Sequence, residues 1–238
     1  MSISKENQSI SWLPYMERTL NYNNWVFNNF KEHLGNRILD IGSGCGTFIE
    51  YYKNKSLVLS VDPSTEANRS LKKRFSGYNN IEIVKSDIND EAMLIYAKQM
   101  SIDTIVCLNV LEHISDDRFA IENIKKTLKS GGKLIIYVPA MKVIYGTLDK
   151  ALGHYRRYDK GEFEKLLRAA GFSIVSSRYM NFLGALSWFL YSKILKKTIP
   201  AEARIIFYDN YLVPVVSRVE SFIKFPFGQS LLIIARAD

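Results

Sequence analysis

At 238 residues the chain suffices for one generous domain, able to bury about 70% of its unfolded surface. With 47% hydrophobic and 24% charged residues, 13 glycines, 6 prolines and no internal repeat, the composition excludes collagen-like, low-complexity and disordered classes. A formal net charge of +8 favours anionic partners, whether nucleic acid, a membrane surface or an acidic small molecule, without choosing among them.

The first elements expected are one or two helices within residues 1–35. Between Ser11 and Leu34, the apolar residues Trp12, Leu13, Met16, Leu20, Trp25, Val26 and Phe30 recur at mostly helical spacing. From Asn36 to Val138 short apolar runs alternate with amphipathic stretches, the pattern of βαβ units around a buried parallel sheet. Strands are predicted at Arg37–Ile41, Leu57–Val61, Ile81–Val84, Thr104–Cys107 and Lys133–Val138. Helices are predicted at Thr47–Lys53, Ser64–Phe75, Glu91–Gln99 and Asp116–Leu128, the last stopped by Gly131 and Gly132. Asp159 and Glu162 read as a capping box opening a helix that Gly171 ends, followed by strands at Phe172–Tyr179 and Ser230–Arg236.

The fold expected is therefore an α/β, Rossmann-like doubly wound sheet of about seven strands. Residues 36–180 and 229–238 form its core. Residues 181–228, rich in aromatic and basic residues and punctuated by Pro200, Pro214 and Pro226, form a small helical cap inserted before the last strand. Cys45 and Cys107 lack a partner at metal-ligand spacing, which excludes a disulfide scaffold and suits a reduced, cytoplasmic chain. The polar Met1–Gln8 segment argues against a secretory signal, and the longest apolar stretch, Phe182–Tyr191, is about half of a membrane span.

Chemistry concentrates after the strands. Ile38-Leu39-Asp40-Ile41-Gly42-Ser43-Gly44-Cys45-Gly46 runs from a strand into a glycine turn whose backbone can approach a ligand closely. Its G-x-G-x-G spacing departs from the dinucleotide fingerprint, which counts against NAD. Asp62, followed by Pro63, ends the second strand, where a carboxylate can accept from both ribose hydroxyls. Asp87 and Ile88 follow the third strand, suited to an adenine amino group and ring face. Leu108 and Asn109 follow the fourth. Glu112 and His113 are read as no metal pair, since neighbours on a helix point apart.

The segments ILDIGSGCG, VDPS, SDI, LNVLEHI and LKSGGKLIIYVP, in this order, resemble the class I S-adenosylmethionine-dependent methyltransferases over about residues 36–138. The resemblance implies S-adenosylmethionine as cofactor, with S-adenosylhomocysteine as product. It places Asp40, Gly42, Ser43 and Gly44 along the methionine part, Asp62 and Pro63 at the ribose, Asp87 and Ile88 at adenine, and Leu108 and Asn109 beside the methionine. Tyr22 joins them if the N-terminal helices fold over the cofactor, as in similar methyltransferases.

The acceptor side is expected in the loop after the fifth strand, which carries Tyr145 and the run Gly153-His154-Tyr155-Arg156-Arg157-Tyr158. This run, with NFLGALSW and PFGQSL, resembles a bacterial small-molecule or natural-product O-methyltransferase subgroup. His154 is the candidate base for a hydroxyl acceptor, and Arg156 or Arg157 suits a carboxylate. Tyr145 is assigned to orient either, and Tyr137, Arg157 and Trp188 to bind the acceptor. The leading expectation is an O-methyltransferase for a carboxylate or hydroxyl of an anionic peptide, saccharide or other natural product, using no metal. The alternatives are a lipid-linked acceptor with peripheral membrane contact through the cap, a nucleic-acid acceptor, disfavoured for want of an N-P-P-Y-type motif, and a non-catalytic partner protein.

Overall fold

The computed structural model describes residues 18–198 and 202–238. Trp12, Leu13 and Met16 of the expected N-terminal helices, and Pro200 of the cap, lie outside the described residues. Seven strands form one sheet: β1 (Arg37–Ile41), β2 (Leu57–Asp62), β3 (Ile81–Lys85), β4 (Thr104–Leu108), β5 (Lys133–Pro139), β6 (Phe172–Met180) and β7 (Ser230–Ala237), in the order β3-β2-β1-β4-β5-β7-β6. The first five run parallel, and β7 lies antiparallel between β5 and β6. The near-continuous apolar runs follow from this: β2 is buried along its whole length because helices cover both faces.

The two faces alternate residue by residue. Leu39, Leu59, Ile105 and Ile136 face a core completed by α4 (Glu91–Gln99), α5 (Asp117–Thr127) and α7 (Lys160–Ala169). Ile38, Val58, Val106 and Ile135 face the opposite core, built with α1 (Leu20–Asn28), α2 (Ile49–Tyr52), α3 (Thr65–Arg74) and α10 (Val213–Phe222). The doubly wound reading of the apolar runs is thus realised strand by strand.

Two local expectations are corrected. The box at Asp159 does not form: Asp159 sits at the N-cap of α7 without a side-chain bond to that helix, because its Oδ1 accepts the Lys142 N–H at 3.2 Å. Glu162 pairs with the Lys142 ammonium instead. Glu112 and His113 lie not on an α-helix but on a single 3-10 turn, Leu111–His113, with consequences described below.

Between β6 and β7 the chain forms α8 (Phe182–Trp188), a π-helical segment Phe189–Ile194, α9 (Glu202–Phe207), a second π-helical segment Tyr208–Leu212, and α10. Asn181 opens this excursion in the left-handed conformation (φ +64°), accepts the Gly184 N–H at 3.0 Å and donates to Gln229 Oε1 at 2.8 Å. Asp209 then reaches across to α1, whose own N-cap Thr19 makes no side-chain cap bond. Its carboxylate accepts the Asn21 and Tyr22 N–H groups at 3.1 and 2.8 Å, so the cap closes the first described helix. Among the described residues, no helix is long and apolar enough to cross a membrane.

Candidate active site

Parallel order puts the carboxyl ends of β1, β2 and β4 on one edge, where chain reversal opens a crevice. After β1 the turn demands glycine: Gly42 and Gly44 have φ of +68° and +53°. A Cβ at position 42 would stand 2.4 Å from Val110 Cγ2, so the backbone there can only be bare. Ser43 ties the turn down, its hydroxyl donating to the Asp40 carbonyl at 2.9 Å and accepting from Ser60 at 2.8 Å.

Asp62 Oδ2 accepts the Gly44 N–H and Oδ1 the Ser64 N–H, both at 2.8 Å. Burial nevertheless raises its pKa above the ordinary carboxylate value against those two bonds. A carboxylate offers about four acceptor positions, so the ribose reading and the turn-holding role coexist. Asp40, fully buried, is pushed up to about 7 by desolvation, against a bond from Tyr52 Oη at 2.7 Å and with the Asp62 charge adding to the rise. Pro63 is exposed beside this turn. Asp87 is exposed and accepts the Asn89 N–H at 2.7 Å, whereas Ile88 is 1% exposed and packs into the core. Leu108 is half-buried, and Asn109 is exposed in the left-handed region (φ +54°), pinned by its N–H on the Tyr137 carbonyl at 2.7 Å. The bare turn, the acidic strand ends and the open Asn109 fit the nucleoside and methionine parts of S-adenosylmethionine.

Tyr22 and Tyr137 meet hydroxyl to hydroxyl at 2.5 Å. Burial raises both pKa values, so both phenols are neutral at ordinary pH. One cleft of about 460 Å³ lies beside Leu20, Thr47 and Arg74, and another of about 470 Å³ beside Asp117, Lys142 and Arg156.

The loop after β5 is organised around Asp149, which is not among the expected site residues. It sits in α6 (Thr147–Ala151) and has no exposed surface. Oδ1 pairs with Arg157 Nε at 2.7 Å and His154 Nδ1 at 3.0 Å, and Oδ2 accepts from Trp188 Nε1 at 3.0 Å and Gly146 N–H at 2.9 Å. Burial alone would raise Asp149, but the His154 bond and the Arg157 charge outweigh it and hold the carboxyl below its ordinary value. Arg157 is 1% exposed, donates from Nη1 to the Ala140 and Gln229 carbonyls, and lies 4.5 Å over the Trp188 ring. Arg156 pairs with Asp117 at 2.8 Å and donates to the Ser115 carbonyl, while Tyr145 Oη donates to the His154 carbonyl at 2.8 Å. The arginines are therefore spent on the protein itself, and Trp188 on the same hub.

His154 folds back against the turn after β4, its ring edge-on to His113 with centroids 4.9 Å apart. A carboxylate oxygen of Glu112 and one ring nitrogen of each histidine lie within 4.8 Å of one another. Glu112 is 1% exposed and its Oε2 has no hydrogen-bond partner. Burial pushes Glu112 up to about 7 against the nearby His154 and Arg157 charges. Desolvation and the neighbouring His154 pull His113 down to about 4.

The model of the methyltransferase domain family matches residues 16–177. The chain belongs to that family. Membership carries methyl transfer with S-adenosylmethionine as the cofactor. A probable polyketide synthase of Dictyostelium discoideum is 26% identical over 171 residues, covering 64% of this chain and 6% of that protein. A ubiquinone biosynthesis O-methyltransferase of Paracidovorax citrulli is 22% identical over 162 residues, covering 62% of this chain and 68% of that protein. The methyltransferase thus spans only a small part of the first of these relatives. Among solved structures the cyclase SpnF superposes with a TM-score of 0.60 at 18% identity, covering 91% of this chain and 79% of that one. The 1,6-didemethyltoxoflavin-N1-methyltransferase of Burkholderia thailandensis, solved with S-adenosylhomocysteine, gives 0.57 at 20% identity, covering 90% and 77%. These likenesses establish the shared fold.

Proposed function

We propose that this methyltransferase transfers the methyl group of S-adenosylmethionine to a hydroxyl oxygen of a sugar, phenol or other natural-product acceptor. The observation that carries the reading is the Asp149–His154 pair: Asp149 takes Nδ1 of the imidazole, leaving Nε2 as the group that meets the acceptor. The two arginines that would suit a carboxylate acceptor are each already paired, with Asp117 and Asp149. Methyl transfer from a sulfonium disperses charge, so the protein's contribution is alignment and exclusion of water, with activation needed only for an acceptor that must lose a proton. In this reading Gly42, Gly44, Asp62, Asp87 and Asn109 hold the cofactor, Tyr22 and Tyr137 wall its methionine side, and Arg157 and Trp188 position His154 through Asp149.

The test is S-adenosylhomocysteine release from pools of phenols, sugars and carboxylic acids, with wild type and His154→Ala. Turnover confined to the hydroxyl pools and lost in the variant is expected. Methyl esters that revert on mild alkaline hydrolysis would overturn the reading.

A lipid-linked acceptor is the second reading. It is favoured by the outer face of the cap, where Leu186, Leu190, Ile194 and Leu195 are each at least half exposed beside Lys193, Lys196 and Lys197. Cosedimentation with anionic but not neutral vesicles is its signature, and equal partitioning into neither would exclude it.

A further inference from the structure

We propose that Glu112, His113 and His154 form a divalent transition-metal site at the acceptor edge of the sheet, with the open coordination positions facing the acceptor. This deepens the hydroxyl reading above and rests on it for the role of the ion, though not for its binding. Four observations carry it. The three donors converge from two separate segments to within 4.8 Å, although Glu112 and His113 are adjacent in sequence. The turn Leu111–His113 is a single 3-10 turn that passes directly into the extended Ile114, and the His154 ring folds back edge-on against His113. Glu112 is buried with Oε2 unpartnered, a position that a buried carboxylate does not keep without a cation or a donor.

The fourth observation is the outer support of His154. Asp149 holds this imidazole by Nδ1, so one ring nitrogen is anchored and the other is left for a ligand. A carboxylate partner behind an imidazole is the arrangement that orients a metal-bound histidine and fixes its tautomer. Asp149 is in turn locked by Arg157 and Trp188, which makes the whole loop a rigid bracket for one ring nitrogen.

Two imidazoles and one carboxylate suit zinc, manganese or ferrous iron and leave coordination positions open. Donors about 2.1 Å from one ion sit roughly 3.4 Å apart, so the three groups close in by about an ångström on loading, a distance that side-chain rotation covers. With an acceptor oxygen in an open position, the cation lowers the pKa of that hydroxyl and holds the resulting oxyanion in line with the methyl group. The ion then takes over at the acceptor the role given above to His154 Nε2, which becomes its ligand, and the proton leaves to solvent.

The experiment uses the full chain stripped with chelator, titrated with manganese and, separately, zinc by calorimetry. X-ray absorption at the metal edge supplies the ligand count. One equivalent with two nitrogen-donor histidines is expected, weakened on the order of tenfold or more in Glu112→Gln and in His113→Ala. No binding at millimolar metal, affinity unchanged in a folded variant, or a shell of oxygen donors alone would overturn the site. If Glu112→Gln does not fold, His113→Ala and the absorption spectrum decide. Full methylation of hydroxyl acceptors with chelator present would overturn the site while leaving the hydroxyl reading standing. Stoichiometric binding by a chain that makes only methyl esters would support the site and overturn the hydroxyl reading.

Discussion

Replacing Arg157 by methionine tests the claim that this residue holds the loop together and meets no ligand. The guanidinium is 1% exposed and its partner Asp149 is 0% exposed, so the substitution strands a buried carboxylate. Breaking a buried pair from one side costs about 3–5 kcal/mol. At roughly 2–4 °C per kcal/mol for a chain of this size, Tm should fall by roughly 6–20 °C. Urea unfolding followed by circular dichroism gives the same quantity independently. Arg157→Lys keeps the charge but not the fork that serves Asp149 and two carbonyls together, and should recover only part of the loss. The double variant Arg157→Met with Asp149→Leu removes the stranded anion and should be more stable than the single one. A Tm within about 2 °C of wild type, accompanied by a raised KM for the acceptor, would refute the reasoning and return Arg157 to the substrate.

The other expectations follow from single contacts. Gly42→Ala places a Cβ 2.4 Å from Val110 Cγ2 on a left-handed backbone, so equilibrium dialysis should find cofactor affinity reduced by on the order of tenfold or more while the chain still folds. Asp40 binds its proton more tightly folded than unfolded, so it contributes stability that is complete below about pH 4 and lost as pH rises through about 7. Urea midpoints across that window should therefore decline less in Asp40→Asn than in wild type, the difference approaching about 4 kcal/mol, and parallel curves would refute it. Asp209→Ala removes the acceptor for two N–H groups of α1 and should cost about 1 kcal/mol, with faster amide exchange at Asn21 and Tyr22; unchanged exchange there would deny the cap.

The sheet was legible because each strand is an apolar run that ends in a residue the edge requires: Asp40 with Gly42 after β1, Asp62 after β2, Asn109 after β4. Local chemistry and global fold agree at those points. The acceptor loop was less legible for the opposite reason. Arg156 and Arg157 look alike in sequence, and their partners Asp117 and Asp149 are identified only once α5 and α6 are in place. Asp149 lies only five residues before His154, but nothing local reveals that Trp188 shares it. Glu112 and His113 were read on α-helical geometry, whereas they lie on a 3-10 turn, and their approach to His154 is a tertiary fact. Asp209 caps a helix through an N–H 187 positions earlier, beyond any local signal.

The cap begins and ends at one point in space. Met180 and Ser230 are paired across β6 and β7, so the intervening chain is the loop of a hairpin, grown to the size of a subdomain. A segment inserted at such a junction changes length and composition without disturbing the register on either side. The glycine turn and the acidic strand ends lie on other strands and are untouched by such a change.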